Sequence, residues 1–193
     1  PVIQELIDAR LVYVNLDPKY RNAEKPEQLT EMIFKVGDHY YDYKHYDEAR
    51  KRFITLIETY PKAKVTKLAA GRLIDSYRDT NDWKNLAMWA ERIDKLDFGK
   101  EFGAELRTLQ VGALFQSATL LFEAGEYQKA ADEYIRLVNE NPKAPDSASA
   151  LNNAAVAYEK LRKFESAGKA YQRIVNDYPK SEFVEDALYN LAK

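Results

Sequence analysis

The chain has 193 residues, of which 46% are hydrophobic and 31% charged, and its 29 basic and 31 acidic residues give a formal net charge of -2. This composition is typical of a folded protein with an ample core, and the balanced charge argues against nucleic-acid binding, which needs a basic stripe. The absence of cysteine excludes disulfides, thiolate metal sites and cysteine nucleophiles.

Residues 1–29 are predicted to form one helix followed by a connector. Apolar residues recur with helical spacing from Val2 to Leu16, and Pro18 ends the helix because its ring cannot continue the hydrogen-bond ladder. The polar stretch from Lys19 to Gln28 predicts a loop. It is left open whether this helix ends a preceding repeat.

The rest of the chain repeats itself. Aromatic residues that precede short polar–apolar runs recur at intervals of 37, 44 and 37 residues: Tyr46, Trp83, Tyr127 and Phe164. Pro142 and Pro179, in similar phrases, are also 37 residues apart. Such spacing predicts a repeated unit of two helices, the second of which stops before a proline.

Residues 30–66 form the first copy, in which small and bulky residues alternate as in two closely packed helices. The pattern is carried by Gly37, Tyr40, Ala49, Phe53, Leu56 and Pro61. It resembles the tetratricopeptide repeat, with its Gly-x-x-Tyr core and later Ala, Phe and Pro. The resemblance implies an all-α fold, a right-handed superhelical solenoid of antiparallel helical hairpins.

The second copy, residues 67–110, is degenerate. Ile74 stands at a small-residue position and Ala90 at an aromatic one, so large and small are exchanged while volume is kept. Seven extra residues, about two helical turns, lie around Asp97 to Arg107 at the end of this copy. They predict an elongated connection and a long helix from about Lys100 to Ala124.

The third and fourth copies, residues 111–147 and 148–184, return to the first pattern. Ala118 and Tyr134 take the small and aromatic positions in one, and Ala155 and Tyr171 take them in the other. Residues 185–193 are predicted to be the first helix of a further, truncated repeat.

The resemblance also implies that the first helices of the repeats line a concave groove. The residues at the groove places, named here the first-helix row, are Phe34, Asp38, Tyr41, Asp75, Arg78, Phe115, Thr119, Phe122, Asn152, Glu159 and Tyr189. Seven residues separate the two aromatics in each of the first and third copies, which places each pair on one helix face. Exposed aromatics there indicate peptide or helix binding; the competing interpretation is that the rings pack within the protein.

The predicted partner is a protein or peptide with an apolar, partly basic segment, because aromatic and acidic residues share the row. The lysines and asparagines with which some relatives grip a terminal carboxylate are replaced by Phe34, Asp38, Gly71 and Asp75, so that ligand is not expected. No direct membrane span is predicted, since no apolar run approaches about 20 residues.

The sequence predicts no cofactor, no metal site and no enzyme activity. His39 and His45 are six residues apart, whereas helical metal pairs lie at i and i+4. Neither a phosphate-binding glycine loop nor a nucleophile motif is present.

The favoured function is a non-catalytic scaffold that binds a peptide or helix within a larger assembly. The 37-residue spacing resembles repeats of bacterial cell-envelope proteins of assembly, division or motility machinery. Periplasm or envelope is therefore favoured, and the cytoplasm stays open. Two alternatives remain: a regulatory or targeting domain of a longer enzyme, and a solenoid that self-associates through its terminal repeats.

Overall fold

Every regular element of residues 26–193, the part of the chain that the computed structural model describes, is a helix. In chain order they are α1 (Pro26–Asp42), α2 (Tyr46–Thr59), α3 (Thr66–Asp79), α4 (Trp83–Asp94), α5 (Lys100–Glu123), α6 (Tyr127–Glu140), α7 (Ser147–Lys160), α8 (Phe164–Asp177) and α9 (Val184–Leu191). They pack as sequential hairpins of a first and a second helix, which confirms the predicted all-α hairpin fold. The helix predicted between Val2 and Leu16 lies outside the described residues.

The four aromatic markers are the first residues of the four second helices, α2, α4, α6 and α8. The long helix predicted from the seven extra residues is α5, and it ends at Glu123, one residue before the predicted end.

Each first helix with a following partner ends through a residue in the left-handed region. These residues are Lys44, Asn81, Gly125 and Arg162, with φ of 61°, 53°, 78° and 57° in chain order. In the first turn the next amide, His45 N–H, donates to the Tyr40 carbonyl at 2.9 Å, and the Lys44 amide donates to Tyr41. This bond pair reverses the chain and satisfies the last carbonyls of the helix.

Three of the second helices, α2, α6 and α8, stop in a different way. The amides of Tyr60 and Tyr178 donate to the carbonyls of Leu56 and Ile174 at 2.9 and 3.0 Å, and a proline follows each. The buried Thr66 hydroxyl then donates to the Tyr60 carbonyl at 2.6 Å, which fixes the start of the next first helix.

The described residues divide into two compact units. The first contains residues 26–82 and Trp89–Gly103, and the second contains Trp83–Met88 and Ala104–Lys193. The core of the first unit is built on Val36, Phe53, Leu56 and Leu73, all fully buried. Ile74 and Ala90, the exchanged pair of the degenerate copy, are also buried in it, at 2% and 0% exposure.

Small residues let the helices of the second unit approach closely. Ala118, Ala130, Ala154, Ala155 and Ala167 are all buried at 0–3% exposure. The large side chains of the same core fill the space between them: Tyr134, Leu137, Leu151, Tyr171 and Ile174.

Candidate functional site

The first-helix row of the first unit carries two half-buried rings. Phe34 packs on Phe53, with ring centroids 6.0 Å apart, and Tyr41 packs edge-on against Tyr46 at 5.5 Å. Both supporting rings belong to α2, the second helix of the same hairpin. Each row ring is therefore held in place on one side and partly open on the other.

The second unit repeats this arrangement in the same register. Phe115 packs on Tyr134 at 5.4 Å and Phe122 on Tyr127 at 5.1 Å, both edge-on. All four residues lie 81 positions after their counterparts in the first unit. The interpretation that the rings pack within the protein thus holds for one face of each ring, and all four rings remain partly exposed.

The carboxylates of the row in the first unit are paired with arginines. Asp38 Oδ1 lies 2.8 Å from Arg72 Nε, and Asp75 Oδ1 lies 3.2 Å from Arg78 Nη1. The Arg72 guanidinium also lies 4.8 Å from the centre of the Tyr41 ring. Much of the negative charge expected to attract a basic partner is balanced within the unit.

The carboxylate of Asp79, which borders this row, accepts hydrogen bonds from two tyrosine hydroxyls. The Tyr41 hydroxyl donates to Asp79 Oδ2 at 2.8 Å, and the Tyr46 hydroxyl donates to the same oxygen at 3.2 Å. Burial, and then the hydrogen bond and charge of Asp79, raise the pKa of Tyr41. The Tyr41 hydroxyl therefore stays a neutral donor, and the bond ties the end of α1 to the end of α3.

Polar row residues of the second unit support the tyrosines of the second helices. Thr119 Oγ1 lies 2.8 Å from the Tyr134 hydroxyl, and Glu159 accepts a hydrogen bond from the Tyr171 hydroxyl at 3.2 Å. Burial, followed by the charge of Glu159, raises the pKa of Tyr171 to about 12. The third polar row residue of this unit, Asn152, is half-buried on α7.

Two aromatic side chains of the second unit are open to solvent. Tyr189, a predicted row residue on α9, is 66% exposed. Phe164, which the sequence analysis used only as a repeat marker, is 68% exposed. The equivalents of Phe164, Tyr46 and Tyr127, each pack on an aromatic ring five positions earlier in the sequence. The residue five positions before Phe164 is Glu159 on α7, which has no ring. Comparing the position of Glu159 among the copies in the sequence would have indicated that the Phe164 ring has no aromatic ring to pack on.

Within each unit, the structure brings predicted row residues onto neighbouring first helices. Phe34, Asp38 and Tyr41 lie on α1, and Asp75 and Arg78 lie on α3. The ion pair between Asp38 and Arg72 joins these two helices. In the second unit the row runs over α5, α7 and α9: Phe115, Thr119, Phe122, Asn152, Glu159 and Tyr189.

Among the described residues, no group of three or more His, Asp or Glu side chains could hold a metal ion. None of the helices in residues 26–193 combines the length and apolar character that crossing a bilayer requires.

Residues 115–182 match the sequence model of a family described as tetratricopeptide repeat. A tetratricopeptide repeat protein of Parabacteroides merdae is similar in structure, with a TM-score of 0.42 and 17% identity over 84% of this chain and 58% of its own. The apo form of RapI has a TM-score of 0.42 and 16% identity over 90% of this chain and 50% of its own. The chain thus spans 58% and 50% of these two proteins. No curated protein sequence matches it.

The matched segment runs from Phe115 in α5 to Glu182 after α8, so the third and fourth predicted copies lie almost entirely within it. This part of the chain is similar to tetratricopeptide repeats. Such repeats are generally protein-interaction modules. No catalytic family was matched.

Proposed function

We propose that the chain is a non-catalytic interaction scaffold that binds a peptide or helix of another protein on its first-helix row. The carrying observation is the recurrence of two supported rings, Phe34 and Tyr41, at Phe115 and Phe122. Each ring is held by a second-helix ring and leaves part of its surface open. A ring already fixed in place loses little entropy on binding, which is why aromatic residues dominate binding surfaces.

The partner segment proposed is chiefly apolar. Positive charge on the partner is a secondary feature, because Asp38 and Asp75 are already paired with Arg72 and Arg78. Glu159 in the second-unit row accepts a hydrogen bond from the Tyr171 hydroxyl at 3.2 Å and is the row carboxylate proposed to meet a basic side chain of the partner.

The test begins with a peptide selected for binding to the full chain from a displayed random library. Its affinity is then measured for a variant carrying Phe115→Leu, Phe122→Leu and Tyr189→Ala. Leucine keeps apolar packing against Tyr134 and Tyr127 while it removes the flat ring surface. We expect a tenfold or greater loss of affinity, about 1.4 kcal/mol, which is a hot-spot-sized effect.

Leu120→Ala is the matched control, since Leu120 is a 50% exposed apolar side chain on α5 outside the row. Its affinity for the peptide should equal that of the original chain. If both variants lost the same amount of peptide affinity while keeping equal helicity and melting temperature, the binding surface would not be the row.

Self-association is a second candidate, favoured by the exposed side of α9. Leu188 is 51% exposed, whereas its equivalents Ile33 and Leu151 are 2% and 0% exposed. Sedimentation over a wide concentration range tests it. A monomer at every concentration, unchanged by Leu188→Glu, would exclude this candidate.

Placement in a bacterial cell envelope, in assembly, division or motility machinery, rests on the 37-residue spacing alone. Fractionation of source cells with an antibody to the chain tests it. Recovery in the cytoplasmic fraction would contradict the proposal without affecting the row.

A further inference from the structure

Two clefts occupy equivalent places in the two units. The first, about 510 Å³, lies between the first turn of α1 and the connector after α2. The second, about 650 Å³, lies between the start of α7 and the connector after α8. Their linings correspond at a constant offset of 118 residues, as Tyr60 with Tyr178 and Pro61 with Pro179. None of the lining residues belongs to the first-helix row.

The first cleft already contains an ion pair. Lys64 Nζ lies 2.6 Å from Glu27 Oε1, so the connector supplies a cation and α1 supplies the carboxylate. This pair shows that the rim of such a cleft accommodates an ammonium group next to a carboxylate.

The second cleft is more acidic than the first. Glu182 stands in the register of Lys64, and Pro145 stands in that of Glu27. Asp146 and Asp177 also line the cleft, and Lys180 is the cation among its lining residues. Asp177 is shared with Arg173 at 3.7 Å, so Asp146 and Glu182, both exposed, carry most of the available negative charge.

The second cleft also offers a fixed apolar wall. Tyr178 and Phe183 are half-buried, and the Tyr178 hydroxyl donates to the Pro142 carbonyl at 2.8 Å, which holds the ring in place. Lysine and arginine bury an aliphatic stem on such a surface while keeping the charged head near carboxylates and water.

We propose that the second cleft receives one arginine or lysine side chain of a protein partner. The stem lies on Tyr178 and Phe183, and the charged head lies between Glu182 and Asp146. Charge complementarity selects this occupant, because the second cleft combines three carboxylates with one ammonium group, whereas the first cleft combines one carboxylate with two ammonium groups, those of Lys62 and Lys64. The contact is a second anchor for a partner, independent of the first-helix row.

The test is an NMR titration of the full ¹⁵N-labelled chain with blocked tripeptides. The probe is acetyl-Ala-Arg-Ala-amide, and the neutral match is the same peptide with citrulline in place of arginine. We expect the arginine peptide to shift the amides of Tyr178, Lys180 and Phe183, and the citrulline peptide to shift them far less. The amides of Tyr60 and Lys62 in the first cleft serve as an internal reference and should not respond.

Three charge variants extend the test. Glu182→Gln should weaken binding of the arginine peptide about two- to fivefold, the range of one exposed ion pair, and Glu182→Lys should abolish it. Lys64→Glu leaves two carboxylates at the first cleft and should make its amides respond to the same peptide.

Several results would overturn the proposal. Equal shifts with citrulline, equal shifts at both clefts of the original chain, or no shifts at all would each remove the arginine site. Spermidine is titrated as a third probe, and if it binds as tightly as the arginine peptide, the cleft takes a free polyamine and not a protein side chain.

Discussion

The ring of Phe53 lies directly against the backbone of Gly37. A Cβ added to Gly37 would come within 2.7 Å of Phe53 Cε1 and 3.1 Å of Arg52 Cβ. Phe53 is fully buried and its ring cannot easily move. The packing of α2 on α1 at this point therefore depends on the absence of a side chain at Gly37, although its backbone conformation is one that any residue adopts.

Gly37→Ala should destabilise the chain by about 1 kcal/mol. Overpacking against Phe53 costs about 1–3 kcal/mol, and the better helix propensity of alanine offsets up to about 1 kcal/mol of this. Urea unfolding measures the difference. Gly71→Ala is the control, because a Cβ there meets nothing within 4 Å, and it should stabilise by up to about 1 kcal/mol. Equal stabilisation by both would contradict the predicted clash.

Arg162→Gly should stabilise the turn between α7 and α8. Arg162 has a φ of 57°, a region that costs a residue with a Cβ about 1–2 kcal/mol, and glycine adopts it freely. The greater unfolded-state entropy of glycine reduces the net gain to about 0.5–1 kcal/mol. Gly125→Ala, at the equivalent position with a φ of 78°, should destabilise by about 1 kcal/mol. Thermal melting of both variants should show shifts of opposite sign, and shifts of one sign would refute this account of the turns.

The alkaline limit of stability should depend on Tyr171. Its pKa is raised from 10.0 to about 12 in the folded chain, chiefly by burial and then by Glu159. The stabilising contribution of the neutral hydroxyl is therefore complete below pH 10 and is lost as the pH rises towards 12, where the unfolded chain has already ionised. Unfolding by urea at a series of pH values should show a smaller loss over this window in Tyr171→Phe.

Glu159→Gln separates the causes of that shift. It removes the negative charge near the Tyr171 hydroxyl, so the pKa of Tyr171 should fall from about 12 but stay above 10.0, because burial is the larger cause. Ring carbon chemical shifts of labelled tyrosine report this titration. A pKa that does not change on substitution would mean that the carboxylate plays no part.

Periodicity made the helices predictable from the sequence. The surroundings of individual side chains could not be predicted in this way. Tyr46, Trp83, Tyr127 and Phe164 start the second helices because each follows a turn of fixed length. That Phe34 and Phe115 rest on Phe53 and Tyr134 depends on the distance between helices, which side-chain volumes determine only in three dimensions. The pairing of Asp38 with Arg72 joins different repeats, and no spacing rule within one helix reveals it.

Arg50 is a long charged residue at a position where the other second helices carry a small one. Its equivalents are Ala87, Ala131 and Gly168, all small, yet its side chain is only 13% exposed. It reaches α3, where Nη2 donates to the Ser76 carbonyl at 2.6 Å and Nε donates to the Ser76 hydroxyl at 3.0 Å. The guanidinium also lies 4.2 Å from the centre of the Tyr77 ring.

Arg50→Ala should therefore destabilise the first unit by about 1.5–3 kcal/mol, the range for hydrogen bonds made by a charged group. Arg50→Lys should recover only part of this, because an ammonium cannot reproduce the planar fork that bonds Ser76 twice and stacks on Tyr77. Lys51→Ala is the control, since Lys51 is 65% exposed and pairs only with Glu48 along α2, a contact worth at most about 0.5 kcal/mol. Denaturant unfolding, followed by tyrosine and tryptophan fluorescence, ranks the three variants. If Arg50→Ala were no more damaging than Lys51→Ala, the contact between α2 and α3 would rest on apolar packing alone.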